Sequence, residues 1–174
     1  MWLDLSTQSD SASEKVIILK PIGIVHTSAS DNEVKSRSPG FKSSIEIYQE
    51  FQDAIDGLSG FSHIFVIGYF NKLRPEQIGP LKVKPRGLLK YGLKLEELPV
   101  LGVLALDSPT RPNPIGLSLV RLLKIEGRIL DVSDLDLFDQ TPVLDIKPYQ
   151  PTYRADQYTL PTWQTTLSEK AGFV

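Results

Sequence analysis

"DSPTRPNPIGLSLVRLLKIEGRILDVSDLDLF", residues 107–138, decides the fold class. It opens with Pro109, Pro112 and Pro114 inside a short span. Proline fixes φ and removes a backbone donor, so this piece is neither helix nor central strand. The remainder reads as two extended runs on either side of Glu126-Gly127, the pattern of a hairpin. A stiff irregular loop feeding an antiparallel hairpin does not belong to a βαβ repeat and points to an antiparallel β architecture.

Working outward, "VLGVLAL" (100–106) reads as a buried strand, and "FSHIFVIGYF" (61–70) as a nearly continuous apolar strand, central in its sheet. "KVIILKPIGIVHT" (15–27) is a strand interrupted at Pro21, which suits an edge, and "SIEIY" (44–48) is a second short strand. Phe51, Ile55 and Leu58 recur at helical spacing and give one short helix, ended by Gly57 and Gly60. Residues 71–98 form a long proline- and glycine-containing excursion with a short strand near "LKV" (81–83). "TPVLDIKPY" (141–149) is the last strand, and 150–174 reads as an irregular wrapping terminus. The expected fold is mainly β: a small antiparallel β-barrel or strongly bent sheet with one short helix and long loops. Residues 1–14, small, polar and acidic, read as a disordered tail, and 15–174 as a single domain.

Composition narrows the function. With 41% hydrophobic and 23% charged residues the chain reads as globular, and it lacks the run of about 18 apolar residues that a membrane span needs. The start of the chain shows neither the basic residues nor the apolar stretch of a signal peptide, so the expected location is cytoplasmic. No cysteine and only His26 and His63 argue against a metal centre and exclude a thiol nucleophile. No glycine-rich nucleotide fingerprint occurs. A net charge of −2 argues against a surface coated in phosphate-binding groups but permits a local basic groove.

Several segments carry chemistry, each with a structural counterpart. The prolines of 107–116 can hold a ligand at small entropic cost, or can make a rigid corner in which Asn113 caps a turn and Gly116 supplies positive φ. Asp134, Asp136, Asp139 and Asp145 surround one apolar strand, as acid/base or ribose-binding carboxylates or as a solvated turn. Alternation in "VLDIK" sets Leu144 and Ile146 on one face and Asp145 with Lys147 on the other. His63 is a proton shuttle or a satisfied core group. Lys82, Lys84, Arg86, Lys90 and Lys94, interleaved with Tyr91, suit RNA contacts or a solvated loop.

"DSPTRPNPIGLSLVRLL" followed by "DLFDQTPVLDIKPYQP", with "KPIGIVHT", "GLSGFSHIFVIGYF" and "VLGVLAL" upstream, resembles the TrmO (TsaA-like) family over roughly residues 18–151. The resemblance implies a small TsaA-like β-barrel that binds S-adenosylmethionine without a Rossmann fold, works as a homodimer with its site near the subunit interface, and methylates N6 of threonylcarbamoyladenosine 37 in tRNA. It also implies the cofactor contacts: Ser38, Pro39 and Gly40; Phe70 and Asn71; Asp107; Asn113; Leu117; and Gln140, Thr141, Pro142 and Val143. His63 and Asp145 are the expected bases, while Arg111, Lys147 and Tyr149 fall to the substrate. The chain departs from the family pattern at Asn71, where histidine is common, at Asp107, where arginine is, and at Gln140, which stands for glycine. Two other readings compete: a non-catalytic S-adenosylmethionine or RNA-binding module, and a methyltransferase acting on a small metabolite.

Overall fold

The computed structural model describes residues 17–36 and 42–172. The tail expected at 1–14 and the expected cofactor contacts Ser38, Pro39 and Gly40 lie outside those residues. Within them, strands β1 (Gly23–Thr27), β2 (Lys42–Ile47), β3 (His63–Tyr69), β6 (Ile115–Glu126), β7 (Ile129–Ser133) and β8 (Pro142–Pro148) close into an antiparallel barrel in the order β1-β2-β7-β6-β3-β8. A separate two-stranded sheet pairs β4 (Lys82–Val83) with β5 (Leu101–Gly102).

The core follows from the period of two. Along β3 the inward residues Ile64, Val66 and Gly68 are buried while Phe65 and Ile67 are only half-buried, and β6 alternates in the same way. The inward set from the barrel strands, including Val25, Ile45, Val120, Leu130, Val132 and Val143, forms the core. Each such side chain contributes about 1.5–3 kcal/mol on leaving water. Leu135 and Leu137, just after β7, are also fully buried and join that core, so the 134–138 connection crosses the barrel mouth as a plug. A hydrogen bond from the Ser118 hydroxyl to Asp136 ties the plug to β6.

The 107–138 stretch behaves as its prolines and alternation dictate, with the two-residue turn at Gly127-Arg128, one position beyond the expected one. β3 is central, paired with both β6 and β8. Four expectations need correction. The first strand begins only at Gly23, past Pro21, and because β1 also pairs with β8 it is no edge. "VLGVLAL" gives a two-residue strand and a 3-10 turn in which only Val103 is buried, since Gly102 and the pairing with β4 leave its other apolar residues outside any core. The Phe51-Ile55-Leu58 helix is 3-10 rather than α, although the three side chains do pack on the barrel core. The C-terminal region is not wholly irregular: α2 (Thr162–Lys170) buries Leu167 against Leu93 and Leu98. A further helix, α1 (Asp31–Ser36), starts with a reciprocal cap in which Ser30 N–H and hydroxyl donate to Glu33 and Glu33 N–H donates back to Ser30. No helix among the described residues is long and apolar enough to cross a membrane.

Candidate active site

One end of the barrel gathers chain segments that lie far apart in sequence. β3 ends there in Phe70-Asn71, and the Phe70 N–H donates to Pro114 O at 2.8 Å, docking the last proline of RPNPIG against the strand end. Gly116 then faces Phe70 so closely that a Cβ would lie 2.6 Å from the ring. The glycine in the motif is thus required by close approach, not by a positive φ. The plug delivers Asp139 and Gln140 to the same end: Asp139 accepts Thr27 N–H at 3.1 Å, and Gln140 N–H donates to Val25 O at 2.9 Å. Gln140 takes φ 64, a left-handed turn that leads into β8. Its carbonyl accepts the Asn71 carboxamide at 3.0 Å, linking the ends of β3 and β8.

The polar chain continues through Gln140 Nε2, 3.4 Å from His26 Nδ1, to Glu46, whose carboxylate lies 2.9 Å from His26 Nε2 and also pairs with Arg128. The hydrogen bond from His26, and after it that from Arg128, holds the Glu46 carboxyl below the usual glutamate range. At the residue before Asp139, the ammonium groups of Lys35 and Lys72 stand 5.4 and 5.1 Å over the Phe138 ring. His26, Glu46, Lys35 and Lys72 were not singled out from sequence as site residues, because only strand pairing and the plug bring them to this end.

Of the expected cofactor contacts, the structure brings Phe70, Asn71, Gln140, Thr141, Pro142 and Val143 together, with Asn113 in the loop immediately before β6. Leu117 points outward from β6 opposite Ile67 and is 66% exposed. Asp107 lies in the adjoining loop, on the wall of a cleft of about 1060 Å³ that runs between the 76–91 excursion and residues 106–110. Arg111 is half-buried in the same loop.

The other expected site residues run away from this end along β3 and β8. Asp145 stands opposite Ile67 and Lys147 opposite Phe65, their side chains 3.3 Å apart, so they do share a face. The register slips at Ile67/Gly68, leaving Leu144 unpaired, and that bulge breaks the simple alternation of Leu144 with Ile146. His63 begins β3, roughly 26 Å of strand from Asn71 at about 3.3 Å per residue. It bonds Ser62 at 2.9 Å and meets Tyr149 edge-on, in an aromatic group completed by Phe65 and Tyr153. Among the described residues no group of three histidines, cysteines or carboxylates is placed to hold a metal ion.

Residues 29–155 match the model of the tRNA-methyltransferase O N-terminal domain. The chain belongs to the TrmO family. It is 41% identical over 140 residues to a probable S-adenosyl-L-methionine-binding protein of Methanothermobacter thermautotrophicus, covering 79% of this chain and 93% of that one. It is also 35% identical over 141 residues to the tRNA (adenine(37)-N6)-methyltransferase of Escherichia coli, covering 75% of this chain and 56% of that enzyme. A solved TrmO crystal structure superposes with a TM-score of 0.63 at 31% identity, over 83% of this chain and 64% of that one. Against the Escherichia coli enzyme and that crystal structure the chain thus spans between half and two thirds of their length. In family terms, the segments that meet at the barrel end are those that carry the TrmO likeness in sequence.

Proposed function

We propose that this chain is an S-adenosylmethionine-dependent N-methyltransferase that methylates N6 of threonylcarbamoyladenosine 37 in a tRNA. The observation that carries the reading is the convergence at one barrel end of Phe70-Asn71, RPNPIG and Gln140–Val143, locked by the Asn71–Gln140 and Phe70–Pro114 hydrogen bonds. The names of the two relatives, one for S-adenosylmethionine binding and one for adenine-37 methylation, support it.

The residues at this end suit such a cofactor. The ligand has an aromatic face, hydroxyls and a zwitterionic amino acid; the site offers the apolar surface of Tyr69 and Leu117, the amides of Asn71 and Gln140, and the carboxylate of Asp107 in the adjoining loop. The bound cofactor supplies an already activated methyl group, which leaves alignment and exclusion of water to the chain. Pro112, Asn113 and Pro114 hold the loop stiff, and Asn71, fixed by Gln140, sets the end of β3. Of the two expected bases, Asp145 is the nearer to this end. His63, at the opposite end, is assigned to the aromatic group instead.

The homodimer belongs to the same reading. Leu117, Leu119 and Leu123, exposed by 66, 47 and 45%, stand on the outside of β6 with Arg121 between the last two, and Leu117 joins that face to the cofactor contacts. A cytoplasmic location fits a tRNA substrate.

The test is incubation of purified protein with methyl-labelled S-adenosylmethionine and total tRNA, followed by nucleoside analysis. Label on N6-methylated threonylcarbamoyladenosine is expected. Label confined to the low-mass fraction would move the reaction to a metabolite, and cofactor binding without any transfer would make the chain a binding module.

A further inference from the structure

We infer that the cleft beside the barrel end is the binding groove for the sugar-phosphate backbone of a single-stranded RNA segment, with Lys35, Lys82, Lys84, Arg86 and Lys90 as its phosphate contacts. This deepens the tRNA reading and rests on it for the identity of the RNA.

Charge asymmetry is the first argument. Among the described residues these five cations line one cleft with only Glu76 and Asp107 opposing them, although the chain has 19 basic and 21 acidic residues. The lining thus carries five basic against two acidic residues in a chain whose net charge is −2, which concentrates positive potential in this groove. The ammonium groups are also held by partners that leave their charge uncompensated. Lys84 donates to Leu95 O at 2.8 Å and Lys90 to Ser36 O at 3.3 Å, while Lys35 stands over the Phe138 ring. Carbonyls and rings orient a lysine without neutralising it, as a phosphate site requires.

Shape and position are the second. About 1060 Å³ exceeds what one small ligand usually fills, and the walls combine charge with Tyr91, Leu88 and Leu106. Such a mixture of cations with aromatic and apolar surface suits flexible single strands, whose bases are unstacked and whose backbone is followed by the charges. Lys35 lines the cleft and also stands over Phe138, two residues before Gln140, so this side chain links the groove to the barrel end. A backbone lying in it delivers the adjacent base to that end.

Binding of a fluorescent, unmodified anticodon stem-loop RNA by the full chain, measured against salt without any methyl transfer, tests this. Lys82 and Arg86 are both exposed. The double substitution Lys82→Gln/Arg86→Gln is expected to weaken binding about tenfold and to lower the slope of log affinity against log salt by roughly 0.7 per lost contact. Lys82→Arg/Arg86→Lys should bind as the parent does, and S-adenosylmethionine affinity should stay unchanged in both. Neutralising Lys20 and Lys170, exposed but outside the cleft, provides the comparison. An unchanged salt slope in the cleft variant, an equal loss in the Lys20/Lys170 variant, or no RNA binding by the parent would each overturn the inference. Cleft-dependent binding of this RNA, together with no label on total tRNA in the transfer assay, would leave the groove in place and refute the methyltransferase reading alone.

Discussion

Gln140 holds φ 64, where a side chain crowds the following carbonyl, yet this turn carries the carbonyl that fixes Asn71. A left-handed residue other than glycine costs roughly 1–2 kcal/mol, and glycine gives back about 0.5–1 kcal/mol in the unfolded chain. Gln140→Gly is therefore expected to raise unfolding free energy in urea by about 0.5–1 kcal/mol. Its contact with His26 is long, at 3.4 Å, and should offset little of that gain. The sequence marked Gln140 as a departure from the family's glycine; the strain became visible only with the backbone angle. Asp107 was marked in the same way. Its place among lysines on the cleft wall depends on the fold of 76–91, a segment with too little periodicity to be placed from sequence.

At the scale of elements, β1, β2 and the β6–β7 turn are joined through the carboxylate of Glu46, which bonds His26 and Arg128. Its depressed pKa contributes stability that is complete above the ordinary glutamate value and is lost as pH falls through the depressed one. Glu46→Gln should flatten the acid limb of the stability-pH profile followed by urea unfolding. Part of the limb remains, because Ser30 likewise lowers Glu33 at the start of α1. α2 acts differently. Leu167 is 6% exposed against Leu93 and Leu98, in a cluster separate from the barrel core. Leu167→Ala should cost about 2–3 kcal/mol locally and speed amide exchange across 86–98 while the barrel strands keep their protection. The low apolar content of 162–170 concealed this helix, since a single buried leucine leaves no apolar stripe.

For the molecule as a whole, the outer face of β6 leaves Leu117, Leu119 and Leu123 in water on a free chain. Under the proposed dimer, Leu117→Arg should convert a concentration-dependent dimer to monomer in sedimentation and also weaken S-adenosylmethionine binding, with circular dichroism unchanged. Loss of dimer with full cofactor affinity would separate the interface from the site.

The sequence by itself determined the barrel strands, the hairpin and the stiff loop, because alternation and proline act over a few residues and need no partner. It also carried the family likeness, in RPNPIG and TPVLDIKPY. Only the tertiary structure decided that the barrel closes, that 134–138 plugs its mouth, that His63 stands a strand's length from Asn71, and that Lys35 joins the 82–90 cations and Asp107 around one groove. Those outcomes depend on register, on which turn takes a left-handed residue and on where loops return. Such choices are set by long-range packing rather than by local preference.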